Sequence, residues 1–192
     1  MAQDRAEVQV RAGTETDLEA LVELYNHYVS ETAVTFDTVP LTPEQRRPWL
    51  HSHPEDGPHR LLVAQDVRSG RILGYAASSP LSPKPAYATS VEVSVYCAPD
   101  TAGRGVGTRL YEALFQALEG EDVHRAYAGI AQPNEASTRL HTRFGFKEAG
   151  RYGEVGRKFG AYWDVVWYEK ELRPREPGGP GSPSAPAPDR GL

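Results

Sequence analysis

Three groups of residues have the types and spacing for chemistry. The first is Glu92, inside the run Ser90-Val-Glu-Val-Ser-Val-Tyr-Cys97. Strand alternation puts Val91, Val93, Val95 and Cys97 on one face and Glu92, Ser94 and Tyr96 on the other. The apolar face reads as core. A carboxylate between valines is costly unless it faces a polar cleft, where it can serve as a general base. The residues alone also allow a glutamate on a solvated strand face, where most carboxylates sit. The second group is the stretch Asp100-Thr-Ala-Gly-Arg-Gly-Val-Gly-Thr108. Gly103, Gly105 and Gly107 let backbone N–H groups approach a ligand closely, and the helix expected after them adds free N–H donors and the positive end of its dipole. That is the physics of a pyrophosphate cradle, with Arg104 as added positive charge. No Gly-Lys-Ser/Thr follows, so it is not a P-loop, and Thr108 stands where GxGxxG requires its third glycine. Taken alone, the glycines fit a flexible strand-to-helix loop equally well. The third group is Asn134, Ser137 and His141. With Asn134 as N-cap, Ser137 and His141 fall four apart on one helix face. An imidazole titrates near neutrality, although a lone helical histidine is commonly an ordinary surface or core residue.

Two other groupings carry less. Cys97 has the chemistry of an acyl-accepting nucleophile, but its place on the apolar strand face suits a small buried hydrophobe. His51, His53 and His59 stand near Glu55 and Asp56 in a stretch broken by prolines, with no cysteine nearby. A solvated loop fits them better than a metal site, and no metal is expected.

The elements that must hold these residues alternate along the chain. Val8 to Arg11 reads as a short strand. A helix follows, capped near Thr16 and Asp17, with Leu18, Leu21, Val22 and Tyr25 on one face. Thr42-Pro43-Glu44 starts another helix, which Pro48 is expected to end or distort early. His59 to Asp66 and Arg71 to Ser79 read as strands joined at Ser69-Gly70, and Ser90 to Cys97 follows. After the glycine turn, Val106, Leu110, Leu114 and Leu118 mark an amphipathic helix. Arg125 to Ile130 is a further strand, Asn134 caps a helix ending near Phe144, and strands are expected around Lys147–Tyr152 and Tyr162–Lys170. The pattern predicts an α/β (α+β) fold with a mixed sheet and helices on its faces.

The 192-residue length suits one domain, placed at 1–172, and allows a sizeable core. Residues 173–192 are rich in Pro, Gly and Ser and read as a disordered tail. One cysteine excludes an intramolecular disulfide framework and points to a reducing cytoplasm. Neither a signal peptide nor a membrane span is legible. The net charge of −5 argues against nucleic acid as the main partner.

Strand, then Ala102-Gly-Arg-Gly-Val-Gly107, then amphipathic helix resembles the acyl-CoA motif of the GNAT acetyltransferases, usually written Q/R-x-x-G-x-G/A. Ala102 stands in place of Gln or Arg. Asn26-His27-Tyr28, Val34 to Phe36, Ala86-Tyr87, Glu92, Val95-Tyr96, Pro133-Asn134, His141 and Gly160 to Asp164 resemble the phosphinothricin N-acetyltransferase subfamily, over roughly Val8 to Leu172. The resemblance implies the GNAT fold, with a largely antiparallel twisted sheet of about seven strands. It implies direct acetyl transfer in a ternary complex, from acetyl-CoA to the primary amine of a small amino-acid-like acceptor. It also implies a homodimer with substrate pockets near the interface. It makes Glu92 the general base for an amine that must be neutral to attack. His141 becomes either acid to the leaving thiolate or a helper of deprotonation through water. Cofactor contacts fall on Val95, Tyr96, Cys97, Gly103, Arg104, Gly105, Val106, Gly107 and Thr108, with Asn134 and Ser137 at the pantetheine or sulfur end and a backbone N–H near Val95 and Tyr96 facing the thioester oxygen. Acceptor contacts are expected at Phe36, Lys84, Tyr87 and Val165. Ser82, Lys84 and Ala88 depart from the subfamily's more basic stretch, which leaves other small amines open as acceptors. A non-catalytic acetyl-CoA-binding module is the alternative from another class.

Overall fold

The computed structural model describes residues 7–173. Apart from Arg173, the tail read as disordered lies outside the described residues. The elements run β1 (Val8–Ala12), α1 (Leu18–Glu31), α2 (Pro43–His51), β2 (Leu61–Asp66), β3 (Ile72–Pro80), β4 (Ser90–Cys97), α3 (Val106–Leu118), β5 (Arg125–Ala131), α4 (Glu135–Arg143), β6 (Lys147–Lys158) and β7 (Ala161–Glu171). One seven-stranded sheet has the order β1-β2-β3-β4-β5-β7-β6. Every neighbouring pair is antiparallel except β4 and β5. This is the mixed sheet that the residue pattern predicts, in the largely antiparallel form that the family resemblance implies. Among the described residues, no helix is long and apolar enough to cross a membrane.

Both faces of the sheet are covered. On one face Leu110, Tyr111, Leu114 and Leu118 of α3 pack with Leu73, Val91, Val93, Ala126 and Ile130. On the other, Leu18, Leu21, Val22 and Leu24 of α1 meet Leu61, Val63, Tyr75 and Ala77. The alternation read in β4 is therefore real, but its second face is not open water. Tyr96 packs against the α1 cluster.

Local sequence explains most of the boundaries. Thr42 and Gln45 form a reciprocal capping box at the start of α2: the Gln45 N–H donates to Thr42 Oγ1 at 3.3 Å, and the Thr42 N–H donates to Gln45 Oε1 at 2.8 Å. Asn134 Oδ1 accepts from the Ser137 N–H at 3.1 Å, the N-cap expected for α4. Two expectations need correction. Pro48 does not end α2, which runs on to His51 with the Ser52 N–H bonded to the Pro48 carbonyl at 3.1 Å. The proline removes one donor from a nine-residue helix, while buried Leu50 and the edge contact of Trp49 with Tyr75 hold the last turn in place. β6 also runs past Tyr152 to Lys158, through a register shift between Tyr152 and Gly156. It is an edge strand exposed from Lys147 to Val155, so no apolar alternation betrays its length. Other strand ends differ from the sequence reading by one or two residues, as element boundaries commonly do.

Leu110 is fully buried between α3 and the sheet. Leu110→Ala is expected to lower unfolding free energy by about 2–5 kcal/mol in chemical denaturation, because the strands behind it cannot collapse into the space.

Candidate active site

The site begins where two strands part. β4 pairs with β5 only at Ser90↔Arg125, Val91↔Ala126 and Glu92↔Tyr127. From Ala128 onward β5 stays with β7, as far as Ala131↔Val165. β4 stays with β3, through Gly74↔Cys97. Beyond Glu92 a wedge opens between β4 and β5, and the β4 edge that faces it has no strand partner. A cleft of about 90 Å³ fills the wedge, walled by Glu92, Ser94, Tyr96, Asn134, Ser137, His141 and Val34 among others.

Glu92 is partly buried at the closed end of the wedge. Among the described residues, no side chain or backbone N–H donates to its carboxylate, and burial alone raises its pKa. An unpaired carboxylate with a raised pKa has the state a base needs near neutral pH.

His141 is 3% exposed. Its Nδ1 lies 2.8 Å from the Ser137 carbonyl and 3.3 Å from Ser137 Oγ, and its Nε2 lies 2.7 Å from the Tyr111 hydroxyl. A carbonyl only accepts, so Nδ1 carries the hydrogen and Nε2 accepts from Tyr111. Burial lowers the pKa of the ring and favours this neutral form. Ser137 and His141 share a helix face, as their spacing predicts. Tyr111, fully buried on α3, is a partner that sequence reasoning missed. Its spacing marks it only as core.

The glycine turn forms the wall of a second hollow, of about 480 Å³. Gly103 and Gly105 have φ of 76° and 75°, a region open to glycine. Gly105 is the N-cap of α3. The first helical bond runs from the Arg109 N–H to the Gly105 carbonyl at 3.1 Å, so the N–H groups of Val106, Gly107 and Thr108 precede the ladder. Gly107 serves a different purpose. A Cβ there would lie 3.2 Å from Leu140 Cδ2 and 3.6 Å from Cys97 Sγ, so it lets α3 and α4 meet closely. Arg139 and Arg143 of α4 also line this hollow, together with Tyr28, whose hydroxyl donates to the Cys97 carbonyl at 2.6 Å. The two arginines lie four apart after the Asn134 cap. That spacing was the signal available for them in the sequence. Arg71 holds the Asp100 carboxyl down at about 2 and pins the loop just before the glycines, at 2.6 Å.

The expected acceptor residues are more dispersed. Phe36 lies against Gly156 of β6. Val165 pairs with Ala131 at the mouth of the wedge. Lys84 and Tyr87 are exposed on the turn between β3 and β4 and are not part of the cleft wall. Val34 is on the wall, though only its stretch was singled out from the sequence. Cys97 is half-buried at the edge of the core, and burial raises its thiol to about 11, which disfavours a nucleophilic thiolate. The histidines are dispersed as well: His51 pairs with Glu15 at 2.8 Å, and His53 bridges the Trp49 carbonyl and Ser79 Oγ. A third hollow of about 550 Å³ beside Arg11 and Asp17 contains none of these site residues, and Arg11 and Asp17 already pair at 2.7 Å.

Comparison with known proteins agrees with this arrangement. Residues 10–167 match the acetyltransferase (GNAT) domain. The chain is 70% identical over 167 residues to the phosphinothricin N-acetyltransferase of Streptomyces coelicolor, across 87% of this chain and 98% of that protein. It is 32% identical over 165 residues to the L-methionine sulfoximine/L-methionine sulfone acetyltransferase of Pseudomonas aeruginosa, across 86% and 95% of the two chains. It superposes with a TM-score of 0.80, at 26% identity, on the GNAT superfamily phosphinothricin acetyltransferase of Sinorhizobium meliloti solved in complex with AcCoA, covering 86% of this chain and 88% of that one. A sheet that parts after a lone carboxylate, a glycine turn opening a helix beside it, and these matches lead to one statement: the chain belongs to the GNAT acetyltransferases, as an N-acetyltransferase of the phosphinothricin acetyltransferase-like kind.

Proposed function

We propose that this protein moves the acetyl group of acetyl-CoA directly to the primary amine of a small amino-acid-like acceptor of the phosphinothricin, methionine sulfone or methionine sulfoximine type, with both substrates bound together. The observation that carries this reading is the unpaired Glu92 carboxylate at the closed end of the wedge. The donor side fits the residues present. The amides of Val106, Gly107 and Thr108, and Arg139 and Arg143 on the wall, suit a pyrophosphate and its attached phosphate; Arg104, assigned to the cofactor as well, sits in the turn but is not part of the wall. The unpartnered edge of β4 along Val95 to Cys97 suits the amide-bearing pantetheine arm, with Asn134 and Ser137 across the wedge.

Acetyl-CoA supplies an acetyl group activated as a thioester. Glu92 accepts one proton from the acceptor's ammonium, leaving a neutral nitrogen to attack the carbonyl carbon. A free backbone N–H of β4 near Val95 and Tyr96 takes the charge growing on the carbonyl oxygen. The C–S bond breaks as the C–N bond forms, and the second nitrogen proton goes to the departing sulfur. His141 enters as a neutral ring. Its Nδ1–H holds the Ser137 turn and its Nε2 holds Tyr111, so it fixes the sulfur end of the wedge in shape. Phe36, Lys84, Tyr87 and Val165 are assigned to the acceptor side. The homodimer belongs to the same reading. Tyr152, Val155, Phe159 and Tyr162 of the β6–β7 hairpin are 55–61% exposed, an apolar surface suited to a second copy. The single cysteine supports assigning it to a reducing cytoplasm.

An amine screen read by thiol release tests the proposal, with phosphinothricin, methionine sulfone, methionine sulfoximine, common amino acids and a polyamine as acceptors. CoA release is expected with an amino-acid-like amine. Tight acetyl-CoA binding without thiol release from any amine would replace the enzyme reading with a non-catalytic acetyl-CoA module.

Glu92→Gln is expected to lower kcat/KM about 10²–10⁴-fold at neutral pH, with the deficit shrinking as rising pH frees the amine. His141→Ala is expected to show a deficit that stays constant across the same pH range, because the ring acts by position. Stability should move the other way for Glu92. Its raised pKa means that the fold gains from its protonation below the unfolded value of about 4.3, and that this gain is lost as pH climbs through the raised value. Glu92→Gln should therefore raise Tm at pH 8 and leave it unchanged at pH 4.

Gly105→Val forces a branched side chain into the left-handed region at a cost of about 1–2 kcal/mol and reshapes the cradle. The KM for acetyl-CoA should rise about tenfold, while the acceptor KM at saturating acetyl-CoA changes little. Steady-state kinetics with each substrate varied in turn separates the two.

A further inference from the structure

The loop between α1 and α2 carries Val34 on the cleft wall and Phe36 beside it. Its two ends are fastened by its own helix. The Thr32 hydroxyl donates to the Tyr28 carbonyl at 2.9 Å. Asn26 exchanges two hydrogen bonds with the Leu41 backbone, both at 2.8 Å. Its middle is fastened from elsewhere. The Lys158 ammonium of β6 donates to the Thr35 carbonyl at 2.8 Å and reaches the Tyr28 carbonyl at 3.4 Å. Lys158 is 4% exposed and has no carboxylate partner among the described residues. A buried ammonium is costly; the two backbone carbonyls are its hydrogen-bond partners, and the Phe159 ring at 5.2 Å and the charge of Asp37 also favour it there. Two positions before it, Gly156 takes the Phe36 ring against its backbone, where a Cβ would overlap Phe36 Cε2. Thr35 is gripped from its other side as well. Tyr25 gives its proton to Asp37 Oδ2 at 2.7 Å, so the Thr35 hydroxyl donates to the Tyr25 oxygen at 2.8 Å. From Lys147 to Lys158, only Gly156 and Lys158 are buried. The two points where this edge strand is covered are therefore the two points that touch the loop.

We propose that Lys158 is a positioning residue for the acceptor. Through the Thr35 carbonyl, with Phe36 seated on Gly156, it fixes the distance of Val34 and Phe36 from Glu92 and so sets the width of the acceptor half of the wedge. This rests on the reading of that wedge as an amine site. Lys158 does not touch the reacting atoms. The β6–β7 hairpin and the loop move as one body, so acceptor fit is decided by a strand at the far edge of the sheet.

The test uses Lys158→Met, which keeps the stem and removes the donor, Lys158→Gln, which keeps a neutral donor, and Gly156→Ala, which leaves Lys158 in place and displaces Phe36. Kinetics with phosphinothricin and methionine sulfone are expected to show the acceptor KM rising on the order of tenfold in Lys158→Met, as for a lost charge-assisted hydrogen bond. The kcat and the acetyl-CoA KM should stay within about twofold. Lys158→Gln should fall between wild type and Lys158→Met, and Gly156→Ala should shift the acceptor KM in the same direction. Amide hydrogen exchange should quicken over residues 32–37 in Lys158→Met and stay unchanged over residues 100–108. An unchanged acceptor KM in a folded variant overturns the proposal. So does an acetyl-CoA KM that rises in step, or unaltered exchange over 32–37. A wild-type protein that releases CoA with neither acceptor would remove the catalytic reading, and the exchange measurement would still decide whether Lys158 holds the loop. If Lys158→Met does not fold, Lys158→Gln and Gly156→Ala carry the same comparison.

Discussion

The short parallel pairing of β4 with β5 is the constraint on which the rest depends. Three residue pairs, Ser90 to Glu92 against Arg125 to Tyr127, hold the two halves of the sheet together. The antiparallel partners on either side, β3 and β7, then pull the strands apart. Backbone polar groups left over at such a parting would ordinarily be a defect, since buried amides require partners. Here they line a cleft. The last paired residue is also the lone carboxylate, so the closed end of the wedge and the proposed base coincide. α3 starts at the other end of β4, where the chain must turn sharply, and the glycines that permit the turn leave the first helical amides facing outward.

Burial, rather than charge pairing, tunes this centre. Glu92 is pushed up, His141 down and Cys97 up, each with desolvation as the leading cause. Formal ion pairs are found elsewhere, at Arg11–Asp17, Arg60–Glu121 and Arg71–Asp100, where they tie loops and strand ends together. Keeping salt bridges out of the wedge leaves Glu92 free to exchange a proton without first breaking a bond.

Much of this was legible in the chain itself, because the relevant signals are local. The alternation of Val91, Val93 and Val95, the glycine spacing and the Asn134 cap are set by neighbours in sequence, and they placed β4, α3 and α4 correctly. The β6 extension was not legible, since an edge strand exposed on both faces writes no apolar rhythm. Pro48 misled for the opposite reason: a strong local rule was overridden by the tertiary anchoring of Trp49 and Leu50. Tyr111 was read as core and is core, but its hydroxyl meets a histidine thirty residues away. Lys158 was unremarkable in sequence, and its meaning depends on a loop over a hundred residues earlier. Contacts that join distant segments leave no period to read.

The state of Cys97 has a consequence for endurance. The cysteine borders the hollow assigned to the donor, where each turnover would set free a thiol. A neighbouring protein thiolate would be exposed to exchange with any oxidised form of that product, leaving the enzyme capped by a mixed disulfide. Burial raises the Cys97 thiol to about 11 and so disfavours the thiolate that exchange requires. The packing of one strand face thereby makes the sole sulfhydryl of the chain a poor partner for disulfide exchange.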